Sequence, residues 1–123
     1  MDDKTNIKQL KEMVKAYWEE RDWDQYHNAK DLAIGIITES SELLEHFRFK
    51  SGTEVDDLFK EKFKKEEISE ELADVLFFVL RFAEKYHIDL SDELKKKLQK
   101  NAQKYPIEKA KGSNKKYSEY EKW

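Results

Sequence analysis

Residues 38–47 read TESSELLEHF, and their reading decides the fold. Glu39, Glu42 and Glu45 recur every three residues in a segment that also carries Ile36, Ile37, Leu43, Leu44 and Phe47. Steps of three and four residues place side chains on one helical face. The segment therefore reads as the end of a helix over about 29–47. Asn28 caps it, and Asp31 in its first turn suits the helix dipole. Apolar residues occupy much of its circumference, which suits a central place in a bundle.

The same period appears on both sides. Ile7, Leu10, Met13, Val14, Tyr17 and Trp18 mark a helix over about 5–20. Downstream, RFKSGTEVDD (48–57) reads as a loop turning at Gly52, and LFKEKFKKEE (58–67) has room for a short helix. A third long helix spans about 65–86, with core positions Ile68, Leu72, Val75, Leu76, Val79, Leu80 and Ala83. Asp89 caps a fourth over about 90–104, and Pro106 ends it. The pattern predicts an all-α bundle of about four helices, completed by oligomerisation. Its domain spans residues 1–106. A basic, irregular tail, 107–123, follows and holds Tyr117, Tyr120 and Trp123.

Composition agrees. Of 123 residues, 41% are charged and 38% hydrophobic, with three Gly and one Pro; few helix breakers and many Lys, Glu and Leu favour helix. One domain fits this length. Without cysteine there is neither a disulfide frame nor a thiolate zinc site, which fits a cytoplasmic protein. MDDKTNIKQL is too acidic and polar for a signal peptide. The longest apolar run, VLFFVL (75–80), falls far short of the about 20 residues that span a bilayer, so no membrane partner is expected. The net charge of −3 divides into −8 over residues 1–74 and +5 over 75–123. Such a division suits a polyphosphate with its cations, and equally two unrelated solvated surfaces. The Lys-rich tail is short, and nucleic acid is not the expected partner.

The third helix contains a second acidic pair, Glu71 and Asp74, three apart like Glu39 and Glu42. Both pairs border apolar stripes. Buried carboxylates are costly unless compensated, and they repel one another. A hard divalent cation such as Mg²⁺ or Mn²⁺ relieves both problems, because it prefers oxygen ligands. The bland alternative is a set of solvated helix acids in a non-catalytic oligomerisation module. A di-iron bundle needs Glu-x-x-His on two helices; the one match, Glu84 with His87, lies too far along its helix to join Asp74. His27, His46 and His87 read as surface or loop residues.

GIITESSELLEHFRFK, then ISEELADVLFFVLRFAEKYHIDL, then KNAQKYP resemble the MazG-like nucleoside triphosphate pyrophosphohydrolases of the all-alpha NTP pyrophosphatase superfamily. The family's Glu-x-x-Glu and Glu-x-x-Asp correspond to Glu39, Glu42, Glu71 and Asp74. RDWDQYHNAKDL is similar to the dCTP pyrophosphatase branch, and the likeness runs from about Arg21 to Tyr117. The resemblance implies hydrolysis between the α and β phosphorus atoms, giving a nucleoside monophosphate and pyrophosphate in dNTP-pool housecleaning. It implies Mg²⁺, with Mn²⁺ as a substitute, and a homodimer or homotetramer. By carry-over the four acids hold metal, and Glu39 or Glu42 also orients the water. Trp23 and Phe49 lie at base-side positions, and Lys97, Asn101 and Tyr105 near the substrate. Val14, Phe49, Phe78 and Lys85 depart from the dCTP branch, where His, Trp, Tyr and Arg stand. These departures bear on base selectivity and leave the acidic set intact.

Overall fold

The computed structural model describes residues 1–120; Trp123, an expected tail aromatic, lies outside them. The described residues form six α-helices and two 3₁₀ turns, with no strand. Helix α1 is Ile7–Glu20, α2 Ala29–Glu45, α3 Gly52–Leu58, α4 Lys62–Lys85, α5 Leu90–Lys104 and α6 Ile107–Ala110. The turns are Asp24–Tyr26 and Tyr117–Glu119. No described helix is long and apolar enough to cross a membrane.

Local side chains set the helix starts. The Asn6 side chain accepts from the Gln9 backbone N–H while the Gln9 side chain accepts from that of Asn6, each at 2.9 Å. Asn28 and Asp31 repeat this reciprocal box ahead of α2 at 3.1 Å. Asp89 caps α5 by accepting from the Asp92 N–H at 2.9 Å. Each box satisfies donors that a helix leaves open in its first turn.

Two short helices exceed the expected four. The stretch expected to be a loop holds α3, because Ser51 accepts from the Glu54 N–H and starts a helix where Gly52 suggested a turn. Pro106 does end α5, but it also sits at the N-cap of α6, so part of the expected irregular tail is helical. Helix α4 starts at Lys62, slightly ahead of the expected Lys65.

The chain forms two compact units, Met1–His87 and a second beginning at Ile88. In the first, α4 packs against α2 and, less extensively, α1. Trp18, Leu32, Ile68, Leu80 and Ala83 are buried. Trp18 anchors this core, with ring centroids 5.1 Å from Phe77 and 6.1 Å from Phe78. Leu72 and Leu76, expected in the core, are 58% and 44% exposed. The apolar stripe of α4 is broader than the surface α1 and α2 cover.

Gly35 sets the closeness of α2 and α4. A Cβ built there would lie 2.5 Å from Cδ1 and Cε1 of the Phe78 ring. That ring is itself edge-on to Phe77 at 5.3 Å, which limits its retreat. Gly→Ala inside a helix ordinarily gains about 1 kcal/mol. Here overpacking prevails: Gly35→Ala is expected to destabilise by about 1–3 kcal/mol. A lowered midpoint in urea unfolding is the check, and an unchanged or raised midpoint contradicts the contact.

Candidate metal centre

Helices α2 and α4 run antiparallel through this contact. Gly35 meets Phe78 at one level, and further along α2 Glu39 and Glu42 meet Glu71 of α4. One oxygen from each of the three carboxylates lies within 4.8 Å of the others. Glu39 and Glu71 are half-buried and Glu42 is exposed. Each helix thus sends one carboxylate inward, while its i+3 companion is exposed.

The inward pair is electrostatically uncomfortable. Oε2 of Glu39 and Oε2 of Glu71 are buried without a hydrogen-bond partner. Burial raises the Glu39 pKa from 4.5 to about 7, helped by a hydrogen bond to Glu42 and by the charges of Glu42, Asp74 and Glu71. Glu71 is raised for the same leading reason, with Glu42 and Asp74 adding and His46 opposing. His46, one turn beyond Glu42, is half-buried in the turn that follows α2, a loop position as expected.

Asp74 stands outside the tight group of three. It is exposed, although its charge reaches both Glu39 and Glu71. It instead lines an open groove of about 430 Å³ between α1 and α4, with Met13, Val14, Tyr17, Ala73 and Phe77. The groove is apolar apart from Asp74 and the Tyr17 hydroxyl.

The donor set fits a hard divalent cation: three converging carboxylates, two of them with an unsatisfied buried oxygen. No thiolate and no buried imidazole pair competes with that choice of ion among the described residues. The di-iron alternative loses its donor, because Glu84 is paired with Arg81 and, at 3.7 Å, with Lys15.

The base-side candidates differ in setting. Trp23 is 37% exposed, edge-on to Tyr17 at 5.9 Å and Trp18 at 5.7 Å. Through Tyr17 it adjoins the wall of the Asp74 groove. Phe49 is 91% exposed with φ of +63°, and the Arg48 guanidinium lies 4.6 Å over its ring. Positive φ is strained for a bulky residue. His27 lies under Trp18 at 5.3 Å, half-buried; His87 is exposed.

Lys97, Asn101 and Tyr105 belong to the second unit. Lys97 is exposed on α5, and Asn101 is half-buried on the same helix. The Tyr105 N–H donates to the Asn101 carbonyl at 2.8 Å. Tyr105 gathers Tyr117 and Tyr120 edge-on at 5.9 and 5.8 Å, so these tail tyrosines form a cluster.

Sequence reasoning missed Arg81, which is 3% exposed and bonded to Asp24 and Glu84. Its signal was a lone cation inside the apolar run VLFFVLRFA. It also missed the groove, although Tyr17 and Phe77 were visible as neighbours of the apolar stripes.

The MazG-like family model matches residues 34–120. Among solved structures, a pyrophosphatase from Archaeoglobus fulgidus DSM 4304 is similar, with a TM-score of 0.76 and 34% identity. That match covers 81% of this chain and 92% of the other. No curated protein matches the chain.

Proposed function

This chain belongs to the MazG-like family, and from that premise we propose that it hydrolyses nucleoside triphosphates to the monophosphate and pyrophosphate, using a divalent cation. The similar archaeal structure is that of a pyrophosphatase, which supports the reaction class. The carrying observation is the meeting of Glu39, Glu42 and Glu71 with two buried oxygens unsatisfied. Mg²⁺ is the proposed ion, with Mn²⁺ as substitute, held by these three and by Asp74 at the edge. When bound, such a cation screens the polyphosphate charge and acidifies water.

The chain's own groups supply the rest. Glu39, on the inner side of the cluster, is the first candidate for orienting the attacking water and accepting its proton. Glu42 at the mouth is the alternative for orienting water. Trp23 offers a face on which a nucleobase can stack, worth about 1–3 kcal/mol per base in nucleic-acid proteins, and Phe49 offers a second. Lys97, Asn101 and Tyr105 are assigned to phosphate and sugar through the family resemblance. The substrate proposed is dCTP or a related dNTP, with a role in dNTP-pool housecleaning. We assign the catalytic domain to residues 1–106 and a basic extension to 107–123.

A homodimer or homotetramer is proposed as the working form. Ile37, Leu44, Leu72, Leu94 and Leu98 are each more than half exposed, and that is more apolar surface than a single copy covers. The same exposure supports the second reading, a non-catalytic oligomerisation module. A panel of dNTPs with Mg²⁺, with products identified, separates the two. Pyrophosphate and monophosphate are the expected first products. Orthophosphate as the first product, or no turnover with any nucleotide, contradicts the enzymatic reading.

A further inference from the structure

Arg81 has no part in the acidic cluster, yet it is 3% exposed. A guanidinium keeps its charge in proteins, so burying it demands partners. Carboxylates of Asp24 and Glu84 take its two terminal nitrogens, and the Trp18 indole lies 5.5 Å from its carbon. Lys85, one turn on, reaches the same place. Its ammonium donates to the carbonyls of Asp24, at 3.2 Å, and His27, and lies 3.2 Å from the Asp24 carboxylate. Burial pushes the Asp24 carboxyl up, but the Lys85 hydrogen bond and the charges of Arg81 and Lys85 outweigh it and hold it low.

All these bonds to Asp24 and His27 fall on one short segment. Trp23 immediately precedes the 3₁₀ turn Asp24–Tyr26, and its carbonyl lies 2.9 Å from Nδ1 of His27. Two cations of α4 therefore grip the backbone and side chain that directly follow Trp23. Stability alone does not call for burying Arg81, because apolar replacements of buried ion pairs are often neutral or stabilising, and its partner Asp24 is itself half exposed. What an ion network adds is one fixed geometry. We propose that Arg81 and Lys85, through Asp24 and His27, act as positioning residues that hold Trp23 in the orientation a nucleobase meets. This inference rests on the reading of Trp23 as a base platform.

The test uses the full chain with Mg²⁺. Asp24→Asn keeps the size of the side chain and removes its charge. It is expected to raise KM for the preferred dNTP about 5- to 20-fold, a part of what stacking contributes. The kcat should stay within about twofold, and Mn²⁺ affinity by calorimetry should be unchanged. Asp24→Glu, which keeps the charge, should recover most of the loss. With 5-fluorotryptophan incorporated, the ¹⁹F resonance of Trp23, assigned through Trp23→Phe, should move or broaden in Asp24→Asn. If Asp24→Asn does not fold, Lys85→Met serves in its place with the same expected KM and resonance changes. Unchanged KM, or KM, kcat and Mn²⁺ affinity all impaired together, overturns the proposal while leaving the enzymatic reading intact. A wild-type chain that turns over no nucleotide overturns both.

Discussion

Glu42→Gln is expected to lose nucleotide turnover by about 100-fold or more while the metal-free protein keeps its helical circular dichroism and is at least as stable as wild type. The loss follows from the donor set. Residues that merely orient a metal ligand cost 10- to 100-fold when removed, and Glu42 supplies one of three converging oxygens. The stability follows from electrostatics. Glu42 is exposed, so its replacement opens no cavity. Its charge is also among the causes that raise both Glu39 and Glu71, so its removal relieves repulsion. Mn²⁺ titration calorimetry and thermal melts of both proteins in EDTA check the two halves. Turnover within a few-fold of wild type removes Glu42 from the site.

The second large effect is on stability against pH, and metal offsets it. Glu39 has a folded-state pKa of about 7 against an ordinary 4.5, so the folded chain binds the extra proton between those values. Its contribution is fully present below about pH 4.5 and is lost as pH rises to about 7. Glu71 shifts in the same direction. Asp24, held low, acts oppositely: its stabilisation is present above its ordinary 3.8 and is lost only as pH falls through its folded value. The two windows do not overlap. In EDTA the melting temperature should therefore fall from pH 5 to pH 8. A cation competes with protons for the same oxygens, so stabilisation by Mn²⁺ should grow over this range. At 100 times its Kd the ion stabilises by about 2.7 kcal/mol, of the order of 10 °C for a chain this size. A flat profile in EDTA, or equal Mn²⁺ effects at pH 5 and pH 8, contradicts the inward placement of Glu39.

What the sequence revealed, and what it hid, divides along physical lines. The starts of α2 and α5 were legible because Asn28 and Asp89 bond backbone groups three residues away. Helix α3 was not: seven residues hold barely two turns, too few for a period to show, and Gly52 outweighed the Ser51 to Glu54 spacing. Leu72 and Leu76 show the remaining gap. Periodicity identifies an apolar face, whereas its burial depends on what packs there.

The acids follow the same division. A three-residue step puts Glu71 and Asp74 on one side of α4, but only the position of α2 brings Glu71 into the group of three and leaves Asp74 facing the groove. Arg81 was hidden because its partner Asp24 lies 57 residues away, a pairing no local pattern carries.

The bare backbone of Gly35 against the Phe78 ring sits one helical turn from Glu39, and on α4 one turn from Asp74. Hydrocarbon contact thus gauges the gap between the acid-bearing helices before any ion arrives. The aperture offered to a cation is a property of the folded core, and its calibre can be altered by a substitution that touches no oxygen.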